Sequence, residues 1–596
     1  MNKLLAATAL TSLAGITQSA GTAPSSAPQP AVYSAETLAM LDPTRVARSM
    51  CGSPLGNDAL RTRLLLASAM QDTVPADMMP LYDNVPVSGM PLSTDSEEAR
   101  RYFDQGLMML YGFNHHGAIR SFKQAQRLDP ECALCHWGEA LAYGPNINAP
   151  MDAGTNETAL AAVARASAGR DTASPAEQAL IDAVAVRYSA NADGDRTALD
   201  IAYSDAMFAA AEAFPDNDDI AVLAAEAAMD TSPWDYWEAD RTEPRGRIGD
   251  AIRLIETVME RNPGHPQAGH LYIHLMENNI DPRRAEAAAD RLRQFIAPSA
   301  GHLVHMPAHI YYRIGRYADS IRANIAATRA DEAYLASAGD NGIYRYGYYP
   351  HNVHFIVTSA QMSGDMATAI REANRLSYVV SPDIAEQLAW VQPVNAAPYL
   401  AMAQFAEPAR ILEFDRPQTR LPYVEAMRLY ARAIAQAQLR DEAGFQREMA
   451  ALETLARETD WSAMVEQGVP ATDLVRIAQL VAQGRYAYAN EDVDEAIRLY
   501  SEAIEIERTL PYTEPPYWYY PISQSLGAAY YRAGRYDEAR TAFRAALAQA
   551  PANGWALYGL AQTEQALGHA PEAAAAEAAL ERAWLGSPNW LRMDRI

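Results

Sequence analysis

The stretch GHLVHMPAHIYYRIGRY, residues 301–317, predicts the fold of this chain more directly than any other. It places His302, His305 and His309 at i, i+3 and i+7, which fall within an arc of about 60° on a helix of 3.6 residues per turn. Gly315 is typical of a helix end, and a second helical pattern begins directly after it. The stretch therefore predicts a helix–turn–helix unit with three histidines on one face of its first helix.

Helix pairs of this kind, repeated about every 34 residues, are typical of tetratricopeptide repeats (TPRs). Counting back from Gly315 as the fifteenth repeat position puts the three histidines at the second, fifth and ninth positions. In TPRs these positions of the first helix line the concave groove, and stacked repeats form a solenoid. We therefore predict an all-α, TPR-type solenoid built from irregular and regular repeats.

Two flanking segments repeat this placement of histidine. In NPGHPQAGHLYIHLMENNIDPRRAEAAADRL the same count puts His270 fifth, His274 ninth and Glu277 twelfth. In YYPHNVHFIVTSAQMSGDMATAI it puts His351 second and His354 fifth. Because helices of neighbouring repeats pack about 8–10 Å apart, we expect these imidazoles to converge.

Such a histidine cluster predicts a transition-metal site, since neutral imidazole is the commonest transition-metal ligand. The i, i+4 histidine pairs are similar to the ligands of binuclear copper sites. Copper is therefore the favoured metal. Zinc is an alternative, because it accepts histidine together with one carboxylate. A carboxylate-rich di-iron site is disfavoured, because Glu277 is the only acid at a groove position. The predicted ligands of one or two metal ions are His270, His274, His302, His305, His309, His351 and His354.

Catalysis is left open by the sequence. Tyr312 and Arg313 also fall at groove positions, and together with Glu277 they could handle substrate or protons if the metal supports oxidation. The chain has no phosphate-binding glycine loop, no Gly-x-Ser-x-Gly elbow and no HExxH motif. The alternative function is a non-catalytic scaffold that binds a peptide or protein partner in the same groove.

The segment Cys132-Ala-Leu-Cys135-His136 matches the signature for c-type haem attachment. His136 falls at a repeat position that is usually packed inside the unit, which disfavours it as a haem ligand. A Cys132–Cys135 disulfide is the favoured interpretation, and it leaves Cys51 as a free thiol. Metal binding by the two thiols is a third interpretation.

Charge and the N-terminus bound the function further. The 596-residue chain carries a net charge of −25, which predicts that it binds neither nucleic acid nor an anionic membrane surface. Lys3 precedes the apolar run Leu4–Ile16, and small residues follow up to Ala20. This is the pattern of a secretory signal peptide, too short to span a bilayer, so we expect export to a periplasm without membrane insertion.

The repeat signature divides the chain. It is clearest at Gly106, Ala118, Phe122, Ala125 and Pro130, and again at Gly527, Gly534, Ala539, Phe543, Ala546 and Pro551. We predict a signal peptide (1–20), a linker and N-terminal helical segment (21–95), N-terminal repeats (96–247), central histidine-bearing repeats (248–375) and C-terminal repeats (376–596).

The chain also resembles a group of exported bacterial TPR proteins of unestablished activity. The matching segments are YGFNHHGAIRSF, HWGEALAYGPNINAPM, SPWDYWEAD, AGHLVHMPAHIYYRIGRY, YYPHNVHF, EPPYWYYPISQSLGAA and NGWALYGLA. The resemblance implies the fold and the export, and no reaction. In that group a tyrosine often stands in place of His136, which also disfavours haem.

Overall fold

Helices follow one another along a computed structural model that describes residues 79–83, 85–190, 196–294, 300–338, 344–414 and 420–596. The predicted signal peptide, Cys51 and most of the predicted segment 21–95 lie outside the described residues. Within the described ranges, the only extended pairings are two isolated bridges, Asn146–Ala149 and Trp237–Pro244. No helix of this part of the chain is long and apolar enough to cross a membrane.

The N-terminal helices are α1 (Glu97–Tyr111), α2 (His115–Leu128), α3 (Ala133–Ala142), α4 (Asn156–Ala168), α5 (Pro175–Ala185), α6 (Thr197–Ala213) and α7 (Asp218–Asp230). The central helices are α8 (Ile248–Arg261), α9 (Pro266–Glu277), α10 (Glu286–Leu292), α11 (Gly301–His305), α12 (Pro307–Arg313), α13 (Tyr317–Ala338), α14 (Tyr349–Ser363) and α15 (Met366–Val379). A π-helical turn, Tyr344–Tyr348, leads into α14.

The C-terminal helices are α16 (Pro382–Gln387), α17 (Gln392–Phe405), α18 (Pro408–Glu413), α19 (Pro422–Leu439), α20 (Glu442–Glu458), α21 (Ser462–Glu466), α22 (Ala471–Ala489), α23 (Val493–Glu507), α24 (Ile522–Arg532), α25 (Tyr536–Gln549), α26 (Gly554–Ala566) and α27 (Ala570–Ala583). Short 3-10 turns lie at Ala153–Thr155, Arg170–Thr172, Pro282–Ala285, Ala389–Val391, Pro588–Trp590 and Met593–Arg595. Most consecutive α-helices pack against each other, which confirms the predicted all-α solenoid.

Aromatic side chains pressed between glycines hold successive repeats together. A Cβ atom on Gly106 or on Gly138 would lie within 3.0 Å of the Phe122 ring, so this ring packs against both first helices. Phe543 contacts Gly527 and Gly559 in the same way near the C-terminus. A side chain at these glycines would push neighbouring helices apart, which explains the repeat signature in physical terms.

The first helix of the predicted helix–turn–helix unit, which Gly315 is expected to end, is interrupted in the structure. It forms α11 and α12, which meet at Met306 because Pro307 has no backbone N–H to continue the hydrogen-bond ladder. His302 and His305 lie before the break and His309 lies after it.

Both ends of the described chain return to the central repeats. Arg120 Nη1 donates to the carbonyl of Ala338 at 2.8 Å. From the C-terminal side, Trp555 Nε1 donates to the carbonyl of Gln361 at 2.9 Å, and the amide of Leu585 donates to the carbonyl of Ser363 at 2.7 Å. These contacts cover the central helices, and the predicted histidine-lined surface is therefore an interior rather than an open groove.

Candidate metal centre

Two groups of three histidines form inside the central repeats. Triad A consists of His270 and His274 from α9 and His302 from α11; triad B consists of His305, His309 and His351. Within each triad, one ligand nitrogen from every imidazole lies within 4.8 Å of the others. Five of the six imidazoles are at most 4% exposed, and His351 is partly exposed.

The nitrogens of triad A are arranged as metal ligands. His270 Nδ1 lies 2.9 Å from Gln267 Oε1, and His274 Nδ1 lies 2.7 Å from Glu277 Oε1. Because these oxygens accept, each Nδ1 carries the proton and each Nε2 carries a lone pair. Gln267 in turn donates through Nε2 to Glu226 at 3.0 Å, which fixes the direction of its amide.

The lone pairs of triad A find no protein donor. Among the described residues, Nε2 of His270, Nε2 of His274 and both ring nitrogens of His302 are buried without a hydrogen-bond partner. Each such unpartnered buried group costs about 1–3 kcal/mol. A metal ion held by these imidazoles would satisfy one nitrogen of each ring, and the acceptors at Nδ1 of His270 and His274 are the outer partners that metal-bound histidines require.

Triad B has the same outer support. His305 Nδ1 lies 2.6 Å from Asn324 Oδ1, and Asn324 Nδ2 donates to the carbonyl of Ser320 at 2.9 Å, which orients the amide. His309 Nδ1 lies 2.7 Å from Glu277 Oε2 and 2.8 Å from Glu514 Oε2. The Nε2 atoms of His305 and His309 are 2.8 Å apart. With both Nδ1 atoms donating, two lone pairs face each other, so a proton or a metal ion must lie between them.

The two triads differ in their protonation. Burial and, to a smaller extent, neighbouring histidines hold five pKa values well below the usual range, those of His270, His274, His302, His305 and His351. At His309 burial disfavours the charged form as well, but Glu277 and Glu514 outweigh it and raise the pKa to about 10. Without a metal, triad B therefore contains one positively charged imidazole, that of His309, whereas the three imidazoles of triad A are neutral.

Glu277 links the triads, because one of its oxygens meets His274 and the other meets His309. Glu514 meets the same imidazole from a distant part of the chain and also contacts the Tyr512 hydroxyl. Glu277, His309 and Glu514 form a third group of possible ligands within 4.8 Å. Arg313 lies 3.6 Å from Glu514 and donates to the carbonyl of Glu277 at 3.0 Å, which offsets the paired negative charge.

Each triad is covered by a phenylalanine ring. The centroid of Phe113 lies 4.6, 5.9 and 5.3 Å from those of His270, His274 and His302. Phe355 lies 5.0, 4.9 and 5.0 Å from His305, His309 and His351. The rings exclude water from the imidazoles, which strengthens their interaction with a cation.

Phe113 reaches its place through an unusual backbone conformation. It follows α1 and has a φ of 55°. The corresponding turn positions after α12 and α14 are occupied by glycines, Gly315 and Gly364, with φ of 83° and 74°. Trp234, whose ring lies edge-on 5.1 Å from His274, has φ of 64°. A bulky residue in the left-handed region costs about 1–3 kcal/mol, and such strain concentrates at functional sites.

The remaining predicted residues lie at different distances from the triads. His354 is outside both, because its Nε2 lies 2.6 Å from the Tyr519 hydroxyl. Tyr312 packs on Phe355 with ring centroids 5.7 Å apart. Glu277 and Arg313 belong to the network as described.

The cysteine segment is separate from the histidine cluster. Cys132 and Cys135 form a disulfide at the start of α3. His136 Nε2 lies 3.3 Å from the carbonyl of Pro130, and Arg165 Nε donates to its Nδ1 at 3.3 Å. Both ring nitrogens of His136 therefore have protein partners.

Sequence reasoning missed Gln267, Asn324 and Glu514, since amides and a loop acid carry no pattern of their own. Phe113 had a signal. Counting from Gly106 as the eighth repeat position puts Phe113 at the fifteenth, where the turn glycine is expected. A phenylalanine at that position is a local conflict that suggests a function.

Residues 530–590 match the family described as tetratricopeptide repeat. The chain is a TPR-type protein. Comparison with curated proteins gives no match.

Several solved TPR structures align with this TPR-type protein over most of its length. Human IFIT1 bound to m7Gppp-AAAA is 13% identical, with 83% of this chain and 96% of that chain covered and a TM-score of 0.28. Yeast Tom70 is 12% identical (83% and 94% covered, TM-score 0.26), and the TPR domain of P58(IPK) is 14% identical (79% and 99% covered, TM-score 0.20). These TM-scores are too low to support a conclusion about function.

Proposed function

We propose that this TPR-type protein binds two transition-metal ions, one in each histidine triad, with copper favoured. The observation that carries the proposal is the pair of buried, unpartnered Nε2 lone pairs on His270 and His274, whose Nδ1 atoms are held by Gln267 and Glu277 on the opposite side of each ring. A polar interior that only stabilised the fold would pair these nitrogens with protein donors. The net charge of −25 also favours uptake of cations.

Copper suits this donor set best. Both triads are made of imidazoles, and copper(II) binds nitrogen sites more tightly than its neighbours in the first transition row. The two triads are adjacent: the ring centroids of His302 and His305 are 5.8 Å apart, and those of His274 and His309 are 5.9 Å apart. Two copper ions at this spacing would supply redox chemistry, which supports an oxidoreductase as the finer proposal.

The protein's own groups would serve such chemistry in defined ways. The acceptors at Nδ1 orient the imidazoles, and the phenylalanine rings exclude water. Glu277 and Glu514 hold a proton on His309, beside the Nε2 of His305. His351 is the partly exposed ligand, so it marks the side from which solvent reaches the site.

Metal analysis of protein purified without a histidine tag tests the proposal. We expect two copper ions per chain, both after expression in copper-supplied cells and after reconstitution with a mixture of copper and zinc. Zinc in both triads would support the sites and contradict copper. No stoichiometric metal after reconstitution would overturn the proposal.

A protein-interaction role is the second candidate, and the TPR fold supports it. Burial of the histidines argues against a peptide in that cluster, so a partner would use other faces of the solenoid. Because the IFIT1 structures contain RNA, likeness of fold gives no support to the predicted absence of nucleic-acid binding, which rests on charge alone.

Export to a periplasm and the state of Cys132 and Cys135 complete the proposal. An exported chain with this disulfide should show no Soret band, and thiol counting should find one free thiol, Cys51. A band that stains for haem on a denaturing gel would instead assign Cys132, Cys135 and His136 to haem attachment.

A further inference from the structure

A cavity of about 670 Å³ lies between the C-terminal helices and the end of the chain. Its walls come from the ends of α19, α22 and α24, from α26 and from the last described residues. Five guanidinium groups line it, those of Arg440, Arg485, Arg532, Arg592 and Arg595. Only two carboxylates do so, Glu407 and Asp594, although acids far outnumber bases in the whole chain.

Arg485 has no directly paired acid, because the Asp594 carboxylate whose pKa it helps to lower is paired with Arg592. The side chain of Arg485 is 8% exposed, and Nη1 donates to the backbone carbonyl of Asp594 at 3.1 Å. Its Nε has no hydrogen-bond partner, and no carboxylate of the described chain lies within ion-pair distance of its guanidinium. Burial raises the pKa of the adjacent Tyr500, which keeps that phenol neutral. A buried guanidinium without an acid is costly, so an anion from outside would stabilise it.

The other arginines have partners that they can exchange. Arg532 and Arg440 lie 3.3 and 3.7 Å from Glu491, which is 68% exposed. Arg592 pairs with Asp594 and Arg595 with Glu407, and both of these acids are more than half exposed. Exposed pairs contribute about 0–1 kcal/mol, so the more exposed guanidinium groups of Arg440, Arg532 and Arg592 can turn to a bound anion at little cost.

We propose that this cavity binds a small polyanion, a compound with two or more phosphate or carboxylate groups. Guanidinium forks bind both groups through paired N–H donors. The rings of Tyr531 and Tyr558 and the side chain of Met593 give the cavity carbon surface for the body of an organic ligand. The inference is independent of the metal sites.

Binding would also fix the end of the chain. Arg592 and Arg595 belong to the terminal segment, whereas Arg485 and Arg532 belong to helices. An anion held between them would tie the segment to α22 and α24. Protease cleavage after Trp590 or Leu591 should therefore slow down in its presence.

Calorimetric titration of the full protein with pyrophosphate and with citrate tests the proposal. We expect saturable one-to-one binding of at least one probe, weakened at least tenfold in Arg485→Met. The matched control is Arg498→Met, an exposed arginine on α23 that pairs with Glu495 and Glu502 and does not line the cavity. Both probes chelate metal ions, but chelation would be equal in the two variants, so the difference between them isolates the cavity.

The two probes distinguish the sources of the anion. Binding of pyrophosphate alone assigns a phosphate compound, binding of citrate alone assigns a polycarboxylate, and binding of both supports recognition of charge. Because Arg485→Met removes a buried side chain, the double variant Arg440→Gln/Arg592→Gln on the exposed wall serves as a second test and should bind at least threefold more weakly. The proposal is overturned if neither probe binds at millimolar concentration, or if the folded variants bind as tightly as the unchanged protein.

Discussion

Triad A and triad B look alike in composition and differ in what completes them. Each has three imidazoles, oriented acceptors at the Nδ1 atoms of two of them and one phenylalanine ring. In triad B two carboxylates hold a proton on His309, and this proton can stand in for a metal ion. In triad A no group supplies a cation, and four buried ring nitrogens are left without partners. Donor sets of the same kind can therefore differ in how strongly they need a metal.

The largest expected effect is the loss of one ion when a ligand of either triad is removed. His305→Ala should empty triad B and leave triad A occupied, and His270→Ala should do the reverse, so each variant should hold one ion in place of two. The helical signal in far-ultraviolet circular dichroism should be unchanged, and saturating metal should raise Tm less than in the unchanged protein.

His354→Ala is the matched control, because its imidazole meets Tyr519 and belongs to neither triad. It should keep both ions. If His305→Ala binds two ions as tightly as the unchanged protein, the assignment of triad B is wrong.

The next effect is a difference in pH dependence. A metal entering triad B must displace the proton of His309, so its affinity should rise about tenfold per pH unit between pH 7 and 9, below the pKa of about 10. Triad A is already neutral in this range, and its affinity should stay nearly constant. Metal titrations of the two single-ligand variants, each with one triad left, measure the two slopes. Equal slopes would contradict the protonation that we assign.

The free energy of unfolding of the metal-free protein should depend on pH through both triads, with opposite signs for His309 and for the triad A histidines. His309 has a raised pKa, so its contribution is fully present below the unfolded value of about 6.5 and is lost as pH rises through about 10. The triad A histidines have lowered pKa values, so their contribution is present above about pH 6.5 and is lost as pH falls. Denaturant unfolding should therefore give a stability maximum near neutral pH that flattens on the alkaline side in His309→Ala.

A smaller effect is expected from the shared carboxylate. Glu277→Gln should weaken metal binding in triad A by about 10–100-fold, the usual cost of losing an outer partner. Triad B should be affected less, because Glu514 still accepts from His309 and because removing one negative charge makes the proton easier to displace. Glu260→Gln, an exposed acid on α8, is the control. Equal weakening of both triads would contradict the asymmetric role of Glu277.

The smallest expected effect concerns the backbone beneath the two rings. At position 113, which has a left-handed φ, glycine should be more stable than alanine by about 1 kcal/mol. At position 355, inside α14, the order should reverse by about the same amount. Denaturant unfolding of the variants Phe113→Gly, Phe113→Ala, Phe355→Gly and Phe355→Ala measures both differences. Alanine more stable than glycine at both positions would show that the backbone of Phe113 is not strained.

The helices and the histidine pairs follow from the sequence. Glycine, alanine and proline at repeat spacing predict helix pairs, and the fold confirms them. The i, i+4 spacing of His270 with His274 and of His305 with His309 puts each pair on one helix face, and the structure brings each pair into one triad. These features depend on contacts within one or two turns of helix, which a single segment determines by itself.

The division of the histidines into two triads depends on the tertiary structure. Repeat counting treats His302, His305 and His309 as one face, but the first joins triad A and the other two join triad B. His354 falls at a groove position by the same repeat count, but its imidazole contacts the hydroxyl of Tyr519, 165 residues further along the chain, and joins neither triad. Glu514 reaches His309 across 205 residues. Partners that far apart meet only when the solenoid closes on its central repeats, and no periodicity within a segment records that closure.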